Sequence, residues 1–173
     1  MIDVSYADYA WQQASGLLAI DSPSGFTAKA VSWLKNQFEA LGFSATVTTK
    51  GGLIADLGGE NPDNALMLAA HTDTLGGMVA QIKGNGRLKV TALGGMNANN
   101  AEAENVRVYT RSGKILEGTL QLCNASVHVN SEYSNIKRSF DTMEIVLDED
   151  VSSAEQARQL GIETGDIVCF DPR

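Results

Sequence analysis

The sequence predicts an α/β layer followed by an all-β barrel, and three observations carry that reading. Apolar residues recur at helical spacing through the first forty positions. A short uninterrupted apolar run, Ala65–Ala70, ends directly at His71. From Met78 to Leu147 the chain then offers β-type runs separated by turn residues and no convincing helix.

Residues 5–20 place Tyr6, Tyr9, Ala10, Ala14, Leu17 and Leu18 on one helical stripe, with Gly16 as a weak point. Asp21-Ser22-Pro23-Ser24-Gly25 reads as a turn by composition. Val31, Leu34, Phe38 and Leu41 mark a second helix, and Gly42 sits where a C-terminal cap belongs. Phe43, Ala45 and Val47 alternate as a strand, Gly51-Gly52 turns the chain, and Leu53–Leu57 runs back. After the loop 58–64, the run 65–70 predicts a strand buried on both faces, as in the centre of an α/β sheet. Trp11 and Trp33 fall on the two helices and read as packing residues.

In the second half the strand candidates are Met78–Ile82, Leu88–Ala92, Val106–Thr110, Ile115–Leu122, Val127–Val129 and Met143–Leu147. Gly84-Asn85-Gly86 and Ser112-Gly113 are hairpin connections, and Ser131–Arg138 reads as a mobile polar loop. Ser152 with Glu155 forms a capping box for a short helix ending at Leu160-Gly161, before a last strand Ile167–Phe170. The expected organisation is an α/β part over 1–74, an inserted β-barrel over 75–167 and a return strand over 168–173. Two helices and three or four strands cannot cover both faces of a buried central strand, so a continuation beyond Arg173 is expected.

Composition narrows the function classes. The apolar fraction of 43% with three prolines fits a globular protein rather than a disordered one. A net charge of −8, with Lys and Arg scattered singly or in pairs, argues against a nucleic-acid partner. No window approaches 18 apolar residues, and the first residues lack a basic stretch followed by an apolar core. Neither a membrane span nor a secretory signal is therefore expected. Cys123 and Cys169 share no metal-type spacing and read as reduced, buried thiols of a cytoplasmic protein.

The chemistry concentrates at His71-Thr72-Asp73. Residues i and i+2 at a strand end face the same side, and ligands gather at the C-terminal ends of strands in open α/β sheets. A metal-binding imidazole usually donates its other ring N–H to a carboxylate, which fixes its tautomer. His-x-Asp supplies both groups at once, although such a pair also serves simply to satisfy loop backbone. His128 falls in an alternating stretch with Val127 and Val129 opposite, and reads as a polar-face or interface residue. Gly94-Gly95 lacks the Lys-Ser/Thr of a phosphate loop, and Ser24 has no companion motif of a serine hydrolase.

The stretch Leu68-Ala-Ala-His-Thr-Asp-Thr-Leu-Gly-Gly-Met-Val resembles the dinuclear metallo-aminopeptidases that include glutamyl and tetrahedral aminopeptidases, some of them named endoglucanases. Ser22-Pro23-Ser24-Gly25-Phe26 is similar to that family's early turn, and Gly86–Val90 with Leu93-Gly94-Gly95 to its first barrel hairpin. Gly161–Arg173 is similar to its return from the barrel, so the resemblance spans nearly the whole chain. Thr74 departs from it, standing where many members carry an acidic residue.

The resemblance implies a three-layer α/β catalytic domain interrupted by a barrel used for self-assembly into homo-oligomers. It implies peptide substrates and two divalent ions, zinc or cobalt, with His71 as a ligand of one and Asp73 orienting it at the catalytic centre. The other ligands would follow Arg173, so this chain is expected neither to hold metal tightly nor to hydrolyse peptides. Two other readings compete: a stand-alone barrel module with a vestigial metal site, and a carboxypeptidase or aminoacylase relative. The latter class inserts a domain mixing helices with strands, which the helix-free run from Met78 to Leu147 does not match.

Overall fold

The computed structural model describes residues 4–171, which divide between Thr74 and Leu75 into two units. In the first unit, α1 (Val4–Leu18) and α2 (Ala28–Ala40) precede a small antiparallel hairpin, β1 (Ala45–Val47) with β2 (Leu53–Ala55). The cap expected at Gly42 is a full Schellman closure. Gly42 N–H donates to the Glu39 carbonyl and Phe43 N–H to the Phe38 carbonyl, both at 3.0 Å, with Gly42 at φ +88°. Gly16 also has a local explanation. A Cβ there would lie 2.9 Å from the Trp33 ring, so the residue that weakens α1 lets α2 approach it. Trp11 is 75% exposed and does not pack as expected, whereas Trp33 is half-buried.

The expected central strand 65–70 is not formed. The segment has no ladder partner among the described residues, and Leu66, Met67 and Leu68 are exposed at 80–86%. An apolar run signals a demand for cover, but a strand needs neighbouring edges, and β1 and β2 pair with each other.

The second unit is a closed, all-antiparallel barrel in the order β3-β4-β7-β6-β5-β8, with β8 pairing back to β3. Its strands are β3 (Gly76–Ile82), β4 (Leu88–Leu93), β5 (Asn105–Tyr109), β6 (Ile115–Leu122), β7 (Met143–Leu147) and β8 (Ile167–Phe170). Closure leaves no free sheet edge. Alternate residues fill the interior: Leu116, Leu120 and Leu122 from β6, Met143 and Ile145 from β7, Val106 and Val108 from β5, and Val168 from β8 are essentially inaccessible. Residues 168–170, assigned above to a return strand, belong to the barrel, because β8 is held on both sides by β3 and β5. Pro172 and Arg173, the end of that expected segment, lie outside the described residues.

Four local expectations change. Residues 126–130 turn instead of extending, since Asn130 is buried and its amide donates to the Asn124 carbonyl at 2.7 Å. The loop 131–138 is tied down by Arg138, which reaches Glu102 at 2.8 Å and the carbonyls of Tyr133 and Ile136. The N-cap of α3 (Ala154–Gln159) is Ser153, not Ser152; the Ser153 hydroxyl accepts from Gln156 N–H, and the Gln156 side chain reaches back to Ser152 N–H at 2.8 Å. Both cysteines are free, but only Cys169 is buried.

Candidate metal centre

The geometry at His71 is built by two segments lying side by side. Ser22-Pro23-Ser24 runs parallel to Thr72-Asp73-Thr74 through a bridge between Pro23 and Thr74. Thr74 N–H donates to the Ser22 carbonyl at 2.8 Å, and the buried Ser22 hydroxyl donates to the Thr72 carbonyl at 3.0 Å. The turn closes when Phe26 N–H meets the Pro23 carbonyl at 2.7 Å, with Gly25 at φ +87°, a conformation that favours glycine.

Within this clamp the Ser24 hydroxyl donates to Asp73 Oδ2. His71 Nδ1 lies 3.1 Å from Asp73 Oδ1 and 3.0 Å from the Asp73 carbonyl oxygen. Two acceptors facing one ring nitrogen select the neutral tautomer with its proton on Nδ1, which leaves the lone pair on Nε2. The hydrogen bond from Ser24 holds the Asp73 carboxyl below the usual carboxylate range; partial burial opposes this, and the contact with His71 adds to it. The His71 side chain is 86% exposed.

His71 and Asp73, the two site residues the sequence singles out, are thus brought together. They match the carboxylate–histidine arrangement of a metal ligand and its orienting partner. They do not make a complete centre, since a catalytic ion takes about three protein ligands. Among the described residues, no group of three or more His, Cys, Asp or Glu is arranged to hold an ion. His128 is exposed on the barrel's 126–130 turn.

Sequence reasoning placed Ser24 in a turn and discounted it as a nucleophile, but missed its hydrogen bond to Asp73. Its partner lies 49 residues away, a distance no local pattern bridges. It also missed Glu144, 1% exposed on β7, whose carboxylate takes hydrogen bonds from Lys83 and from Arg87 Nη1 at 2.6 Å. Burial would raise this carboxyl, but the two cations outweigh it and hold it below the usual range. A concavity of about 290 Å³ on the barrel is walled by Leu75, Met96, Ala101 and Phe170, with Asn100, Glu104 and Asp171 at its polar positions. It contains no histidine or thiol.

The chain has relatives among known proteins. The M42 glutamyl aminopeptidase family model matches residues 51–173, a span that includes His71 and Asp73. The putative aminopeptidase YhfE of Bacillus subtilis is 40% identical over 157 residues, covering 91% of this chain. The chain spans only 45% of that relative's length. Among solved structures, the TET aminopeptidase from the marine sediment archaeon Thaumarchaeota archaeon SCGC AB-539-E09 superimposes with a TM-score of 0.80 at 25% identity, covering 95% of this chain and 45% of that one. The Pyrococcus horikoshii TET1 peptidase, which can assemble into a tetrahedron or a large octahedral shell, shares the fold with a TM-score of 0.76 at 22% identity, covering 94% and 46%.

Proposed function

The chain belongs to the M42 glutamyl aminopeptidase family, and on that premise we propose that it is the amino-terminal, metal-carrying part of an aminopeptidase acting on peptides. The observation that carries the reading is the His71–Asp73 pair, which lies within the span that matches the family and is held by a clamp with residues 22–24. His71 Nε2 is the ligand atom and Asp73 sets the ring's tautomer and direction. When bound, two divalent ions such as zinc or cobalt supply an acidified water and polarise the scissile carbonyl. The remaining ligands come from sequence outside these 173 residues, in keeping with a match to under half of each relative. The same partition accounts for the exposed Leu66-Met67-Leu68 run, which a completed three-layer α/β domain would cover.

The barrel, with its own closed core, serves in this reading as the inserted module through which copies of the protein assemble. The two free thiols suit a cytoplasmic protein. Among the described residues, no helix is long and apolar enough to cross a membrane.

The test is a zinc titration of the 173-residue chain followed by imidazole NMR signals, alongside a leucine-anilide assay. The reading expects weak zinc binding seen at His71, abolished by His71→Ala, with no hydrolysis by this chain alone. A His71 ring indifferent to zinc would overturn it.

A further inference from the structure

We propose that Ser24 is a positioning residue for the metal centre: through Asp73, it holds His71 in the tautomer that leaves Nε2 bare. The proposal rests on the reading of His71 as a ligand and adds to it a residue from a separate segment. An aspartate two residues beyond a histidine can reach the ring with either oxygen, or turn to solvent, because its carboxylate is roughly two-fold about its last torsion. The Ser24 hydroxyl removes that freedom by engaging Oδ2, so that Oδ1 is the oxygen left to face His71 Nδ1 at 3.1 Å, beside the Asp73 carbonyl oxygen 3.0 Å from the same nitrogen. A hydroxyl has one proton to give, and giving it to Oδ2 commits Asp73 to accepting on both sides.

The surroundings are built for this placement. Ser22, two residues earlier and 1% exposed, fixes the Thr72 carbonyl with its side chain and the Thr74 amide with its backbone. Pro23 between them has no N–H and a restricted φ, which narrows the conformations open to the turn. Asp73 is therefore bracketed by anchored neighbours, while its own carboxylate takes a separate bond from Ser24. The chain Ser24–Asp73–His71 runs hydroxyl to carboxylate to imidazole, as in a serine hydrolase, but in the reverse sense. The serine contacts the carboxylate, not the ring, and so cannot be activated as a nucleophile by it.

The experiment is a ¹⁵N-detected measurement of the His71 tautomer in the metal-free 173-residue chain, at about pH 8.5 where an ordinary imidazole is neutral. The native chain should hold the Nδ1–H form. Ser24→Ala should shift the equilibrium part of the way toward Nε2–H, the Asp73 carbonyl remaining as an acceptor on Nδ1, and Ser24→Thr, which keeps the hydroxyl, should restore it. Exchange protection of the Thr74 amide reports whether the clamp survives, since its bond to the Ser22 carbonyl does not involve the Ser24 side chain. An unchanged tautomer in Ser24→Ala overturns the proposal. So does joint loss of tautomer and Thr74 protection that Ser24→Thr leaves unrepaired, because Ser24 is then a structural turn residue only. Zinc is absent from this measurement, so it fails or succeeds independently of the zinc titration that tests the metal reading.

Discussion

The Ser24 hydroxyl and the Asp73 carboxylate, 49 residues apart, are joined in one hydrogen bond beside a parallel bridge between Pro23 and Thr74. That contact ties the turn between the two helices to the segment bearing His71. It gives an exposed histidine a defined orientation without burying it, as the proposed ligand role would require.

The buried Glu144 cluster sets an acid limit on the barrel. Its folded pKa lies below the unfolded value, so its stabilising contribution is complete above the ordinary glutamate range, roughly pH 4.3, and is lost as pH falls through the lowered folded value. Urea midpoints of the native chain should therefore drop on acidification more than those of Glu144→Gln. At neutral pH, Glu144→Gln should cost about 1–3 kcal/mol, because the cations lose their charged acceptor while the site stays buried. Equal pH slopes for the two proteins would remove this assignment.

Gly118 on β6 is required by the barrel wall. A Cβ there would sit 2.5 Å from the Val146 carbonyl oxygen and 3.1 Å from Leu147 Cα, on the paired strand β7. Alanine ordinarily favours a strand interior over glycine, but the obstruction is backbone and cannot rotate away. Gly118→Ala should destabilise the chain by about 1–3 kcal/mol. A denaturation midpoint at or above the native one would show that the strands separate freely.

The two thiols should differ in access. Cys123 is exposed, and partial burial with the nearby Glu144 carboxylate raises its thiol, against the opposing pull of Lys83 at 3.9 Å. Cys169 is 2% exposed on β8. A maleimide should label one cysteine in the native chain, more slowly than a free thiol at neutral pH, and both in denaturant. Native labelling of Cys169 would contradict the closed barrel.

What the sequence makes legible is what local chemistry decides. Gly42 could be read as a cap because the Schellman closure uses only residues 38–43. The strand 115–122 has the bounds its alternation indicates, since each inward residue meets the same core. Asn130 defeats the short Val127–Val129 pattern because a buried amide with a fixed partner outweighs two alternating valines. Glu144 looks like an outward charge until Lys83 and Arg87 close over it from a hairpin about sixty residues earlier. At the site, His71 and Asp73 lie two residues apart in sequence and could be paired by inspection, whereas Ser24 could not. The run 65–70 declares its need for cover without naming what supplies it.

That asymmetry between the halves leads to a prediction about folding. In the barrel, every strand has neighbours on both sides, and Leu88, Leu116, Leu120, Met143 and Ile145 are each 2% exposed or less. Fully burying one such side chain contributes about 1.5–3 kcal/mol, so the set amounts to a substantial share of a domain's stabilisation before conformational entropy is charged against it. Among the described residues of the first unit, the buried apolar side chains are Ala30, Val31 and Ala45, at 0%, 6% and 7% exposure, none of them large. Leu66, Met67 and Leu68 stand at 80–86% exposure, and Tyr6 and Trp11 at 70% and 75%. Residues 75–173 made alone should thus unfold cooperatively with a β-type circular dichroism spectrum. Residues 1–74 made alone should lack a cooperative transition and should bind a hydrophobic dye. If the first fragment instead showed a sharp thermal transition as a monomer, its apolar surface would be covered by its own packing, and the proposal that a further part of an aminopeptidase completes it would lose its physical basis.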